Sequence, residues 1–334
     1  MEKEYLIGIN YFNGWNRNDP NRWQTNGRDW RMDYPERIPI TGCYNDPETM
    51  IADIDAASEK GVDFFQMLWY VQKPEREKNS RHLNDCFAHY FAAKNNERIK
   101  FVLEFCNHPP YEILEDDLWE DSVDEWVKIM LHPGCLKIDG KAVFKIHGLA
   151  YFYQQCGRSV EKFDERISVL RAKAKRKGLE LIIGAGVMAD AVNDDEIALS
   201  SHVDYCTTYA DFPRIEETEK PYAFSVLTEQ ALKGRRVLVE KLHSPYVPFI
   251  MSGWYPRPWG VHSAQYAYPT EKEWKEALQG VKTALDEDER FTLHGKKMFT
   301  IYAWNEFGEG GIMAPTAGFG TMKLDMLKKV FGEK

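Results

Sequence analysis

The sequence predicts an α/β fold, a single (β/α)8 TIM barrel over residues 1–334 with long loops after its strands. Short apolar runs alternate with amphipathic helical patterns along the chain, which is typical of a parallel sheet whose strands are joined by helices. Eight such units occur, and this length suits one barrel. No linker or repeat divides the chain, so we expect one domain. An open doubly wound sheet is the alternative, but no G-x-G-x-x-G follows the first strand.

Eight apolar runs, bounded by Gly, Pro or polar clusters, predict the strands. In chain order they are residues 6–12, 62–70, 99–106, 142–147, 179–185, 203–209, 247–254 and 297–304. A polar insertion rich in aromatic residues follows the first strand and ends near Asp46. Apolar residues at helical spacing predict the helices, and in the first of them Met50, Ile54 and Ala57 share one face before Gly61 ends it. The predicted helices are residues 47–60, 83–95, 119–131, 160–177, 194–200, 222–234, 271–286 and 322–330.

The composition limits the classes of partner. A net charge of −9 argues against nucleic acid, because phosphate binding needs clustered Lys and Arg. No stretch approaches the roughly 18 continuous apolar residues of a membrane helix, so we expect no membrane insertion. The six cysteines form neither a C-x-x-C pair nor a zinc-type spacing with histidine, so we expect no metal and no cofactor. We expect a monomer.

The carboxyl ends of barrel strands carry the chemistry in this architecture, so the side chains there are candidate site residues. Aromatic, amide and charged side chains predominate at these ends and in the loops that follow. The predicted substrate-binding residues are Tyr11, Trp69, Tyr70, Glu104, His147, Tyr209, Trp254, Tyr255, Arg257, Trp259 and Asn305. Aromatic rings pack on the apolar faces of sugars while their polar tips form hydrogen bonds, so the set suits an oligo- or polysaccharide. Ser/His/Asp and Cys/His sets for acyl transfer are missing from these ends.

Glu306 and Glu309 are the predicted catalytic residues. Two neighbouring carboxyl groups suit cleavage of a glycosidic bond, because one protonates the departing oxygen and the other assists attack at the sugar carbon. Three extended residues span at most about 10 Å, so both side chains can reach one ligand. Gly308 and Gly310 permit a close backbone approach around the pair. The alternative interpretation is two solvated loop carboxylates.

The segment 303–310, AWNEFGEG, is similar to the final-strand motif of the glycoside hydrolase family 99-like group: Asn-Glu, two residues, then Glu-Gly. This group includes endo-α-mannosidases and related domains of polysaccharide loci. Weaker matches occur in the expected order at residues 42–48, 139–144, 253–259 and 320–324. The resemblance therefore spans most of the chain, and it implies a glycosidase.

The resemblance also implies roles. Glu309 would be the general acid and then the base. Glu306 would assist the sugar's own 2-hydroxyl in forming a 1,2-anhydro intermediate, with net retention. Arg257 and Tyr11 would hold the substrate, and α-mannoside linkages would be the first expectation for it. A conventional mechanism with Glu104 as the partner carboxylate stays open.

Two departures from the family pattern leave the specificity open. Tyr255 stands where related domains often carry a small or acidic residue, and Gly308 stands where a histidine often precedes the second glutamate. The alternatives to a hydrolase are a polysaccharide lyase or a glycosyl transferase on the same barrel, or a glycan-binding barrel without catalysis. Residues 1–5 lack the pattern of a signal peptide. Since glycan-degrading enzymes of this type usually work in the periplasm or outside the cell, we expect that location with a leader absent from this sequence; a cytoplasmic location stays open.

Overall fold

The computed structural model describes residues 3–18, 20–73 and 81–332. In this part of the chain, parallel strands form the predicted barrel and helices surround it. The barrel strands are β1 (Tyr5–Tyr11), β2 (Phe64–Trp69), β3 (Lys100–Phe105), β4 (Lys141–Ile146), β5 (Leu181–Gly186), β6 (Tyr205–Thr207), β7 (Tyr246–Val247 and Phe249–Met251) and β8 (Lys297–Tyr302). Each pairs with its neighbour in sequence, and β1 pairs with β8.

The barrel closes through β7, which is split at Pro248. Its first part pairs with β6 and its second part with β8. Proline lacks the N–H that a ladder position requires, so a break falls there. The carbonyl of Pro248 still accepts a hydrogen bond from the Thr300 N–H at 3.0 Å. The second part of β7 ends at Met251, earlier than the predicted end at residue 254.

The helices are α1 (Pro47–Ser58), α2 (Asp85–Ala92), α3 (Asp116–Met130), α4 (Leu149–Gln155), α5 (Val160–Arg176), α6 (Asp194–Leu199), α7 (Ser225–Lys241), α8 (Glu271–Glu287) and α9 (Met322–Phe331). Among the helices of the described residues, α4 is the one that was not predicted. α7 continues past Gly234, its predicted end, since that glycine packs against Ala189 and Asp211. No helix in the described ranges is long and apolar enough to cross a membrane.

Side chains inside the barrel form layers, because alternate residues of each strand face inward. The lowest layer is apolar and includes Val102, Val143, Ile182 and Met298. Its largest rings, Phe64 and Tyr205, face glycines: a Cβ on Gly8 would lie 2.1 Å from the Phe64 ring, and one on Gly184 would lie 2.1 Å from the Tyr205 ring. The barrel floor is thus filled by rings that only glycine can face.

The next layer is polar and, apart from His147, fully buried. Glu104 accepts hydrogen bonds from Lys145 Nζ and Gln66 Nε2, each at 2.8 Å, and Gln66 also donates to Asn10 at 2.8 Å. His147 Nδ1 lies 2.7 Å from the same carboxylate. Burial alone would raise the pKa of Glu104, but Lys145 and His147 outweigh burial and hold that pKa below its ordinary value. This layer therefore contains an internal ion pair between Lys145 and Glu104, and it lies beneath the cavity residues described below.

Candidate active site

The two glutamates are presented by a tight hairpin that follows β8. Asn305–Glu306 pairs antiparallel with Gly311–Ile312. The Glu306 carbonyl accepts from the Glu309 N–H at 3.1 Å and from the Gly310 N–H at 2.8 Å. Gly310 has φ +89°, and a Cβ there would lie 2.8 Å from the Tyr255 backbone nitrogen. Glycine is therefore required at the turn that carries Glu309.

Asn305 fixes this hairpin to the first strand. Its side chain accepts from the Phe12 N–H at 2.8 Å and donates to the Phe12 carbonyl at 2.8 Å. Trp15 Nε1 donates to the Asn305 carbonyl at 2.7 Å. The oxygen and the nitrogen of the buried Asn305 side-chain amide are thus both hydrogen-bonded within the protein. Asn305 holds the glutamates in place, and its side chain does not line the cavity described next.

A cavity of two adjoining lobes opens above the polar layer at the carboxyl ends of the strands. The lobe of about 320 Å³, called here the glutamate lobe, is lined among others by Phe12, Arg22, Tyr70, Tyr111, Trp259 and Glu306. The lobe of about 440 Å³, called here the apolar lobe, is lined among others by Leu149, Tyr151, Met188, Phe212, Trp254 and Tyr302. Four residues line both lobes: His108, His147, Tyr209 and Glu309. Glu309 therefore stands at the junction.

Glu306 and Glu309 are both held by tyrosines in this buried setting. The Tyr209 hydroxyl donates to Glu306 Oε1 at 3.2 Å, and the Tyr302 hydroxyl donates to Glu309 Oε2. Glu306 Oε2 is buried and has no hydrogen-bond partner among the described residues. An acceptor left open in this way is available to a hydroxyl of a bound ligand.

The electrostatics of the pair follow from this burial. Burial raises the pKa of Glu306 well above its ordinary value, the neighbouring Glu309 raises it further, and Arg22 and Tyr209 oppose the rise. Burial also raises the pKa of Glu309, against the Tyr302 hydrogen bond and Arg22. Two such neighbouring carboxyls titrate as a pair, and one retains a proton that the other has lost. That state is what acid–base chemistry on one ligand requires.

Seven of the predicted site residues are brought together around this cavity: Tyr70, His147, Tyr209, Trp254, Trp259, Glu306 and Glu309. Trp254 stacks on Phe212, with ring centroids 4.0 Å apart. Trp259 donates from Nε1 to the Arg22 carbonyl at 2.9 Å. Flat rings are thus exposed to both lobes, as a sugar-binding cleft requires.

Tyr11 and Trp69 do not join them, contrary to the expectation that they contact substrate. The Tyr11 hydroxyl donates to Asp53 on α1 at 3.0 Å, and Trp69 Nε1 donates to Glu125 on α3 at 3.0 Å. Both residues point outward, because the neighbouring strand positions, Asn10 and Leu68, face the barrel interior. They join strands to helices.

Glu104, Tyr255 and Arg257 also lie outside the cavity lining. Glu104 is committed to the polar layer beneath it, which leaves the carboxylate with no exposed surface. The Arg37 guanidinium lies 4.9 Å from the Tyr255 ring centre. Arg257 donates to Glu217 at 3.2 Å and to the Thr218 carbonyl at 3.3 Å. These three side chains are occupied by other parts of the protein.

Sequence reasoning missed Tyr302, His108 and Arg22. Tyr302 could have been found by counting, since it lies two residues after Thr300 on a strand whose alternate positions face inward. His108 follows the third strand closely, and a histidine at the carboxyl end of a barrel strand is the signal that could have found it. Arg22 lies in the long insertion, where no periodic pattern marks a position. Among the described residues, no group of three or more His, Cys, Asp or Glu side chains is arranged to hold a metal ion.

No protein-family model and no curated protein matches the chain in sequence. In structure it is similar to the GH99 endo-alpha-mannosidase from Bacteroides thetaiotaomicron, with a TM-score of 0.57 and 15% identity over 97% of this chain and 96% of that one. The two proteins share the (β/α)8 barrel fold. A GH5_18 protein from Bifidobacterium longum subsp. infantis gives 0.57 and 12% identity, covering 99% and 80% of the two chains. An exo-beta-1,4-mannosidase from Opitutaceae bacterium strain TAV5 gives 0.54 and 10% identity, covering 97% and 58%. The fold predicted from the sequence and from the family resemblance is confirmed.

Proposed function

We propose that this protein is a glycoside hydrolase that cleaves a glycosidic bond in an oligo- or polysaccharide. The observation that carries the proposal is the pair of the buried Glu306 and the partly buried Glu309, which line one cavity at the carboxyl ends of the barrel strands. Both carboxyl groups have raised pKa values, so the pair can supply an acid and a base at one pH. The likeness of the fold to an endo-alpha-mannosidase and to an exo-beta-1,4-mannosidase supports the same reaction class.

In the proposed mechanism, Glu309 protonates the departing oxygen and then acts as the base. Its position at the junction of the lobes supports this role, because the bond to be cleaved would cross from one lobe to the other. Glu306 accepts the proton of the sugar's 2-hydroxyl as that oxygen attacks the anomeric carbon and the bond to the departing oxygen breaks. Water, deprotonated by Glu309, then opens the resulting 1,2-anhydro ring at the same carbon, and the two inversions give net retention. The open Oε2 of Glu306 supports that role, because a sugar hydroxyl that donates to it would lower the raised pKa of Glu306 and leave the proton of the pair on Glu309.

For the substrate, we propose α-linked mannosides as the first class to test. The family resemblance of the sequence motif supports this choice, and the similar structure from Bacteroides thetaiotaomicron is that of an endo-alpha-mannosidase. Gly308 and Tyr255 differ from the family pattern, so neighbouring sugars belong in the same panel. We further propose that the protein works as a monomer in the periplasm or outside the cell, where such glycans occur.

The test is a glycan panel assayed by release of reducing ends with the wild-type protein, Glu306→Gln and Glu309→Gln. We expect both variants to lose activity by orders of magnitude, about 10²-fold or more, while their thermal unfolding is unchanged. Glu271→Gln, at the exposed start of α8, is the matched control and should keep full activity. Near-full activity of either cavity variant on a true substrate would contradict its role.

The same assay separates the alternatives. A polysaccharide lyase would release an unsaturated product that absorbs in the ultraviolet, and a hydrolase would not. A transferase would need an activated sugar donor and would release little reducing sugar from a glycan alone. A glycan-binding barrel would retain a ligand without turnover across the whole panel. Proton NMR of the first product formed distinguishes retention from inversion at the anomeric carbon.

A further inference from the structure

Arg22 lines the glutamate lobe, and its side chain is held in a defined position. The guanidinium lies over the Phe12 ring, 4.8 Å from its centre. Gly14 makes room for this stack: a Cβ there would lie 2.2 Å from the Phe12 ring and 2.5 Å from Arg22 Nε. A planar guanidinium stacked on an aromatic face keeps its N–H groups at the edge, free to meet a ligand.

The backbone of Arg22 is fixed as well. Its carbonyl accepts one hydrogen bond from Trp30 Nε1 at 2.8 Å and another from Trp259 Nε1 at 2.9 Å. Trp259 itself lines the glutamate lobe. Two indoles therefore hold the residue at the cavity wall, which is more support than an incidental surface arginine receives.

The charge of Arg22 is not neutralised by an ion pair among the described residues, although its neighbours in the same insertion are paired. Arg17 is paired with Asp46, Arg28 with Asp33 at 2.6 Å and Arg31 with Asp29 at 2.6 Å. No carboxylate of the described residues lies within 4.0 Å of the Arg22 guanidinium. The insertion thus directs one unpaired cation into the lobe that contains both glutamates.

We propose that Arg22 binds an anionic substituent, a carboxylate or a sulfate ester, on the sugar that occupies the glutamate lobe. This inference rests on the proposed function and names a feature of its substrate. A neutral sugar would gain little from an unpaired guanidinium, whereas an anionic sugar needs a cation to offset the two glutamates beside it. The guanidinium fork matches a carboxylate or a sulfate in bidentate geometry.

The test is binding rather than turnover, so that it can fail independently of the proposed function. Intrinsic tryptophan fluorescence or calorimetry would measure dissociation constants for matched pairs: mannose with mannuronate, glucose with glucuronate, galactose with galacturonate, and glucose with glucose 6-sulfate. We expect the anionic member of at least one pair to bind about tenfold more tightly than its neutral partner. Whether a uronate or the sulfate gains most identifies the anion.

The variants assign that preference to Arg22. Arg22→Gln should bring the two members of the pair to nearly equal affinity, Arg22→Lys should keep part of the preference, and Arg28→Gln should keep all of it. Arg28 is the matched control because it lies in the same insertion, paired at the surface. Thermal unfolding of each variant verifies folding, and Arg22→Lys keeps the comparison usable if Arg22→Gln does not fold.

Equal affinity for anionic and neutral sugars in the wild-type protein would overturn the proposal. A preference that survives in Arg22→Gln would do so too. A third result, in which Arg22→Gln only shifts the pH profile of activity without a preference for anions in either protein, would assign Arg22 to tuning the glutamates instead. Hydrolysis of a neutral glycan that depends on Glu309 would leave the proposed function standing in each case.

Discussion

The Trp259 indole lies directly over Gly308, which stands between Phe307 and Glu309 in the hairpin. A Cβ at position 308 would lie 2.1 Å from Trp259 Cε2. Gly308→Ala should therefore displace the indole from the wall of the glutamate lobe. We expect kcat/KM to fall about tenfold, which corresponds to roughly 1.4 kcal/mol of transition-state binding. Steady-state kinetics on a substrate found in the glycan panel measures this loss.

Gly280→Ala is the control for that substitution. Gly280 lies inside α8, and a Cβ there would meet Leu232 at 3.6 Å, an ordinary contact. Alanine in a helix interior stabilises by up to about 1 kcal/mol relative to glycine, so we expect unchanged kinetics and a slightly higher unfolding temperature. If Gly308→Ala had kinetics as unperturbed as this control, Trp259 would not depend on the space that Gly308 leaves.

The division of roles between the two glutamates predicts different responses to the leaving group. A glycosyl fluoride needs little protonation of its leaving group, so an enzyme that lacks only its general acid can still cleave it. We therefore expect Glu309→Gln to recover much of its activity on the fluoride of the sugar that the protein cleaves. Glu306→Gln should stay inactive on both substrates. The reverse pattern, with recovery only in Glu306→Gln, would exchange the two roles.

Tyr302→Phe and Tyr209→Phe are expected to move different limbs of the pH profile, both towards higher pH. The Tyr302 hydrogen bond lowers the pKa of Glu309, so Tyr302→Phe should raise that pKa. The proposed acid must be protonated, so the alkaline limb of kcat/KM should move to higher pH. The Tyr209 hydrogen bond lowers the pKa of Glu306, so Tyr209→Phe should raise it. The proposed assisting carboxylate must be ionised, so the acidic limb should move to higher pH. Because the two glutamates titrate as a coupled pair, the pH profiles of both variants are measured over the same pH range. If both substitutions moved the same limb of the profile, the division of roles would be wrong.

The sequence was sufficient to predict the barrel and the place of Glu306 and Glu309 after its last strand, because strand and helix periods and a short motif are local patterns. The sequence alone could not predict which side chains at the strand ends point into the barrel and which point towards the helices. Tyr11 and Trp69 differ from inward positions by one residue, and a phase shift of one reverses the face. Predicted strand boundaries are uncertain by at least that much, so the two residues that point to the helices looked equivalent to those that line the cavity.

The position of Arg22 depends on contacts that are distant in sequence. Its carbonyl is bound by Trp259, which is separated from it by most of the chain, and its side chain by Phe12. No pattern within the insertion specifies such contacts. The same holds for Arg257, which looks available in the sequence but is bound to Glu217 from another loop. Long loops position site residues through packing, which only the folded chain reveals.

The buried pair of Glu104 and Lys145 predicts a large effect of breaking it. Lys145→Met leaves a buried carboxylate without its cation, and we expect a loss of about 3–5 kcal/mol in the free energy of unfolding at pH 7. The double variant Glu104→Gln/Lys145→Met removes both charges and should recover most of that loss. Lys272→Met, which breaks the exposed pair with Glu276, serves as control and should unfold like the wild-type protein.

The pH dependence of that effect follows from the lowered pKa of Glu104. A carboxyl whose folded-state pKa lies below its unfolded value contributes stability above the unfolded value, about 4.3, and loses it as pH falls through the folded value. In Lys145→Met this contribution is absent, so the difference from the wild-type protein should be largest near pH 7 and shrink below about pH 4. Urea unfolding followed by tryptophan fluorescence at several pH values measures it. A difference that stayed constant across this range would show that Lys145 stabilises the barrel by packing, without a charged Glu104 as its partner.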